Sequence, residues 1–447
     1  MAEDWHISSA LFQRFLKEKA TRQERRCIVR HLLSGCPSCL RLVAPIFQAQ
    51  SGWFPEERAL DLERAEYMAA FERALAVGAD QELRLAHEKV RGWGQWAHLE
   101  GLSPEERLAA VRSNPGLHNW GLFDRLLEAC RWYGRTEPAD AVDIAYLALE
   151  LTDHLGTAFA EQQLADLRAG AWGVLANAKR LAADFPGSAE AFQRAWEALH
   201  LGSGDPLERA QLISLEASYL QNLGEFEAAE TALAESLAIY HAAGEAHLEG
   251  RTLLQMGDAI GHVDPARGIS HIRRALMRLD AARDPRLQLC AQHDLVWFLT
   301  DLGKTDDALA TLDRARSLYD QFPDTWTQLR LHWLEGRIAH ALHDHSEAES
   351  TFLQLWEEFH TRNLHQEVVL VSIDLAEVYH DRGQHAQCIK LIEDVYPLMQ
   401  SWGLHKESLA VWLLVRKSLA EGAIRGGMFK RLEEYFRRHW FKPGKFE

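Results

Sequence analysis

The chain has 447 residues, 47% of them hydrophobic and 26% charged, with a net charge of −16. These are the proportions of a soluble globular protein with a continuous core, and they exclude a disordered or fibrous chain. No run reaches 18 apolar residues, the opening MAEDWHISSALFQRF lacks the pattern of a secretory signal, and six cysteines, three of them single (Cys130, Cys290, Cys388), make no disulfide framework. A reducing cytoplasm is the expected compartment, with no membrane contact.

The first predicted elements are two helices, SSALFQRFLKE and QERRCIVRHLL, with basic residues from Arg14 to Arg41 along a solvated face. A Cys-x-x-Cys knuckle follows at Cys36 and Cys39, where Gly35 and Pro37 permit the tight turn that brings two sulfurs to one metal. His31 stands five residues before it, and His6 returns to the same end if the helices pair antiparallel. Cys27, one turn before His31 on the same helical face, is the alternative fourth ligand. A closed structural zinc site takes four N or S ligands in a tetrahedron. His6, His31, Cys36 and Cys39 are therefore expected to hold one zinc ion and staple a hairpin too small to have its own core.

Residues 1–47 resemble the zinc-binding anti-sigma fold, whose signature is an N-terminal ligand, two helices and His-x-x-x-Cys-x-x-Cys. Here four residues, Leu32 to Gly35, separate His31 from Cys36, where that family has three. The resemblance implies a zinc-finger-like head in bacterial transcription regulation or signalling, with a sigma factor or a protease as partner.

Residues 48–114 read as a connector of two or three helices. GWGQWAHLEG is an expected inter-helix turn, and SPEER gives an N-cap at Ser103, Pro104 at the first helical position and acids in the first turn.

From residue 115 to 424 the chain repeats. Small residues recur at Ala229, Gly268, Ala308, Ala348 and Cys388, in steps of 39 or 40. One turn later stand Leu233, Ile272, Leu312, Phe352 and Ile392, then Ser236, Ala275, Ala315, Leu355 and Val395 on the same face. Five residues before the marker, Gly224, Gly303 and Gly383 fill a turn that favours a left-handed backbone. Twelve before it, Ala217, Gly336 and Ala376 allow close helix approach, while Met256 and Val296 break that rule. Weaker copies centre on Ala141 and Ser188, the 47-residue step between them implying an insertion. About seven helical pairs result.

The phrases NLGEFEAAETAL, DLGKTDDALATL, LHDHSEAESTF and DRGQHAQCIKL resemble tetratricopeptide repeats, which turn on Gly-x-aromatic-x-x-Ala. The expected fold is all-α: a right-handed superhelical solenoid with a period of about 40 residues, preceded by the small hairpin. That family's register puts Asn222, His293, Trp297, Trp333, Arg337, His340, Glu377 and His380 on an inner groove suited to an extended peptide or a partner helix.

Residues 425–447 carry a net +4 and residues 1–60 a net +3, leaving −23 for the body between them. An acidic body disfavours nonspecific nucleic-acid binding and suits a basic protein or peptide. The tail MFKRLEEYFRRHW spaces Phe429, Leu432, Tyr435, Phe436 and Trp440 as an amphipathic helix, expected to cap the solenoid. The histidines of HALHDHSE are the one cluster that invites a second metal, but no motif of nucleophilic, phosphate-binding or metal-hydrolytic catalysis is present. The sequence reads as a non-enzymatic regulatory adaptor that binds a protein or peptide, with a scaffold or receptor subunit of a larger assembly as the alternative.

Overall fold

A computed structural model describes residues 85–134, 137–156, 159–424 and 427–446, together with 8–16, 19–21, 24, 25 and 28. The described residues are helical, with no strand among them. They fall into two compact units, residues 1–208 with 241–244, and residues 209–240 with 245–447.

In the first unit, α1 (Ser9–Leu16) lies within the first predicted helix, and Arg14 pairs with Glu24 beyond the turn. A second helix, α2, covers 85–99 and runs through the Gly92–Trp96 stretch predicted as a turn. The reason is close packing: a Cβ on Gly92 would lie 2.1 Å from the Gly121 carbonyl oxygen, and one on Gly121 1.8 Å from that of Glu88. Ser103 caps α3 (Pro104–Ser113) in a capping box with Glu106. After a short 3-10 turn, Pro115–Leu117, come α4 (Trp120–Tyr133), α5 (Pro138–Asp153), α6 (Glu161–Leu181) and α7 (Phe185–His200). The long step between Ala141 and Ser188 is absorbed largely by α6, which has 21 residues.

The later helices are α8 (Pro206–Asn222), α9 (Phe226–Ala243), α10 (Ala246–Gly261), α11 (Pro265–Leu276), α12 (Pro285–Asp301) and α13 (Thr305–Tyr319). They continue as α14 (Thr325–Ala341), α15 (His345–Thr361), α16 (His365–Asp381), α17 (His385–Ser401), α18 (Lys406–Ala420) and α19 (Met428–His439). Among the described residues the helical pairs are therefore α4–α5 to α16–α17, the expected seven, each a tetratricopeptide-type pair.

Every marker residue of the repeat is buried, as are those four and seven positions on. Ser236, the polar member of the last set, satisfies its hydroxyl on the Ala210 carbonyl at 3.0 Å. The close approach within a pair is visible in two bonds of one pattern. Ser188 Oγ donates to the Ala176 carbonyl at 2.8 Å and Cys388 Sγ to that of Ala376 at 3.5 Å, each twelve residues back. Where Met256 occupies the small position, Gly261 takes over: a Cβ on Gly268 would fall 2.5 Å from its Cα.

The turn inside each pair explains the glycines. Gly224, Gly303 and Gly383 have φ of +75°, +68° and +69°, and Ala183 and His343, at the same place in their pairs, adopt +60° and +63°. The left-handed cap belongs to the repeat, and glycine is the residue that adopts it without strain.

Candidate functional site

In the second unit the first helices of successive pairs, α10, α12 and α14, touch one another and expose a common inner face. Its centre is Arg337. The guanidinium stacks over the Trp297 ring, 4.3 Å from the centroid, and reaches Asp301 at 2.7 Å, Asp374 at 3.0 Å and Glu433 at 3.4 Å. Trp297 stands edge-on to Trp333, centroids 5.3 Å apart, and Trp333 Nε1 donates to Asp374 at 2.6 Å. Consecutive repeats thus supply Trp297 and Asp301, Trp333 and Arg337, and Asp374 to one buried cluster.

The fourth member, Glu433, comes from α19. Arg437 on the same helix pairs with it at 2.8 Å and lies 5.4 Å from the Trp297 centroid. Burial alone would raise the Glu433 carboxyl, but Arg337 and Arg437 outweigh it and draw it down to about 2. Burial raises the Asp374 carboxyl to about 6 against the pull of Arg337, with Glu433 reinforcing the rise. Three carboxylates share two guanidinium groups here, and burial raises the Asp301 carboxyl as well.

The basic helix α19 packs against α16 and sets Phe436 edge-on to Trp412 of α18 at 5.7 Å. It also extends along the inner face. Phe429 meets His380 at 5.6 Å. At the other end Arg438 binds Glu227 at 2.8 Å and the Gly224 carbonyl at 3.3 Å, and Lys442 binds Glu225 at 2.9 Å. The helix therefore reaches from α16 and α18 to the turn between α8 and α9.

The expected groove residues divide. Trp297, Trp333 and Arg337 come together in the cluster, Glu377 sits beside Asp374, and His380 lies against Phe429. Burial, with Asp374 adding to it, raises the Glu377 carboxyl to about 7. Asn222 ends α8, two residues before Gly224. His340 binds Asp381 at 3.0 Å. His293 is buried inside its own pair, its Nδ1 2.9 Å from the Tyr319 hydroxyl. Missing from the expected set are Asp301 and Asp374, which the burial of an arginine at 337 demands, and Glu433 and Arg437.

A neighbouring polar row was also unforeseen. Arg330 meets Asp294 at 3.3 Å, and Asp258 accepts from Gln221 at 3.1 Å. Burial, then the nearby Asp258, raises the Asp294 carboxyl to about 7.

The zinc expectation is corrected. Among the described residues no group of three or more His, Cys, Asp or Glu side chains is placed to hold a metal ion. The histidines of HALHDHSE form no such group, and His340 is engaged by Asp381. Cys130 and Cys388 are buried singly. His6, Cys27, His31, Cys36 and Cys39 lie outside the described residues. No helix among the described residues is long and apolar enough to cross a membrane.

No family model and no curated protein sequence matches the chain. Among solved structures, a Rap protein complexed with competence and sporulation factor matches with a TM-score of 0.54 at 13% identity, over 70% of this chain and 86% of that one. Aspartyl phosphate phosphatase F from Bacillus subtilis matches with a TM-score of 0.50 at 14% identity, over 90% and 97%. The likeness is one of fold, an all-α stack of tetratricopeptide-type pairs.

Proposed function

We propose that residues 209–447 form a docking scaffold for a protein or peptide, and that the chain works as a non-enzymatic regulatory adaptor. The observation that carries this reading is the inner face itself: aromatic and charged side chains from consecutive repeats converge on one surface, and that surface accommodates a helix. Side chains so aligned across repeats give a ligand several anchors along its length, which is how stacked-helix surfaces recognise segments. A fold of this type holding competence and sporulation factor supports the reading by analogy. The hydrolytic activity in the second structure's name belongs to that protein.

The test is capture from the source cells with the intact chain, with Glu377→Lys on the face, and with Met277→Glu, a residue 77% exposed, as a control. The reading expects one partner retained by the wild type and the control and lost with Glu377→Lys. A partner indifferent to Glu377→Lys overturns it. Identification of the partner also decides between a signalling peptide and the sigma factor or protease that residues 1–47 bring to mind.

A further inference from the structure

We propose that α19 is a built-in occupant of the docking face, and that the partner displaces it by presenting the same chemistry: a basic amphipathic helix with aromatic residues and one central carboxylate. This rests on the docking reading above and adds to it the partner's chemistry and its control.

The charges are complementary. The face offers Glu225 and Glu227, which Lys442 just past the helix and Arg438 on it answer with ion pairs, and Asp301, which feels the positive charges of Lys430 and Arg437. Glu433 is the one acid it inserts, and that acid lands on Arg337, the cation at the centre of the face. A competing helix must replace this carboxylate, because Arg337 is too deeply buried to be hydrated instead.

The attachment is of two kinds. Phe429, Leu432 and Phe436 are buried, whereas the far end is held by ion pairs whose acidic partners are open: the Glu227 side chain is 61% exposed and that of Glu225 40%. Exposed pairs contribute little and yield to salt, so this end is the one that peels first. Gly422 and Gly427, with φ of +65° and +74°, bracket the connection to α18 and give it turning points.

The fit is also incomplete. Trp297 Nε1, His262 Nδ1 and His380 Nδ1 are buried with no hydrogen-bond partner, and all three rings adjoin α19 or the cluster it completes. Unmade buried hydrogen bonds are costly, and a partner helix that supplies hydrogen-bond partners there gains over the resident one.

One glycine separates docking from backbone strain. Gly224 and Gly303 share the left-handed turn, but a Cβ on Gly224 would lie 2.0 Å from the Arg438 carbonyl oxygen, while one on Gly303 would meet nothing within 4 Å. Gly224→Ala therefore evicts α19 at a strain cost that Gly303→Ala reproduces. Arg438→Glu, which faces Glu227 and Glu434, is a second release variant at the solvent edge.

The experiment uses intact chains and a fluorescent peptide of residues 425–447, read by anisotropy. A tethered segment acts at a high effective concentration, so the wild type and Gly303→Ala should bind the peptide at least about tenfold more weakly than Arg438→Glu, while Gly224→Ala, whose Cβ would meet the peptide's own Arg438 carbonyl, should bind it no better than the wild type. A scrambled peptide should bind none of them. Equal binding by the wild type and Arg438→Glu, or binding of the scrambled peptide, overturns self-occupancy. The captured partner separates the two claims: affinity unchanged by Arg438→Glu but lost with Glu377→Lys refutes self-occupancy and leaves the docking face standing, whereas indifference to Glu377→Lys refutes the face.

Discussion

Arg337 and Glu433 are 96 residues apart in sequence and 3.4 Å apart in the fold. This ion pair ties the C-terminal helix to the middle of the repeat stack. It also lets one guanidinium, buried between Asp301, Asp374 and Glu433, decide whether that part of the inner face is electrically balanced.

A double-mutant cycle over Arg337→Ala and Glu433→Gln should return a coupling of about 1–3 kcal/mol in urea unfolding. Arg337→Ala alone should cost about 3–5 kcal/mol, since it leaves buried carboxylates without their cation. A coupling indistinguishable from zero would mean that the two side chains do not meet.

Phe436 is fully buried against Trp412, so Phe436→Ala should destabilise the chain by about 3–5 kcal/mol. Arg431 is exposed on the same helix, and Arg431→Ala should stay within about 0.5 kcal/mol. Chemical denaturation of the two variants side by side checks both; similar losses would contradict the assigned faces of α19.

Ala183 and His343 hold the left-handed turn that glycine holds in three other pairs. Relief of that strain outweighs the added entropy of glycine, so Ala183→Gly and His343→Gly should each stabilise the fold by roughly 0.5–1 kcal/mol, measured as a raised midpoint of unfolding. A lowered midpoint in both would contradict the shared register.

The inner face also fixes the sign of a pH effect. Asp294 and Glu377 are raised to about 7 and Asp374 to about 6, with burial the largest cause in each. Unfolded carboxyls titrate near 4, so between those values the folded state binds more protons than the unfolded one, and stability falls as pH rises through the window. His262 and His293, kept neutral mainly by burial, oppose this trend only below about 6.5, where their unfolded forms take up protons. The melting temperature should therefore drop from pH 6.5 to pH 8, and Asp294→Asn should flatten the drop. A rise over that interval would refute the assignment.

The repeat was legible because burial acts through spacing. A small residue and an apolar residue one turn later recur at every pair, with a turn glycine in three of them, and no partner elsewhere in the chain is needed to read them. Trp297 and Arg337 stand one repeat apart at the same register, with Trp333 one turn before Arg337, which is why spacing alone suggests them as neighbours. Glu433 and Arg438 were not, since their partners lie 96 and 211 residues away and periodicity says nothing about where a tail returns. The Gly92–Trp96 stretch misled for a local reason: its glycines suggest a turn, and only the contact with Gly121 shows that Gly92 serves helix packing.

Amide hydrogen exchange of residues 428–439 in the intact chain, free and with its partner bound, tests most directly whether the C-terminal helix holds the docking face. Self-occupancy predicts protection in the free chain that is weaker than that of α16, and exchange at least about tenfold faster once the partner binds. Protection equal to that of α16 and unchanged in the complex would make the helix a permanent part of the core and contradict the account.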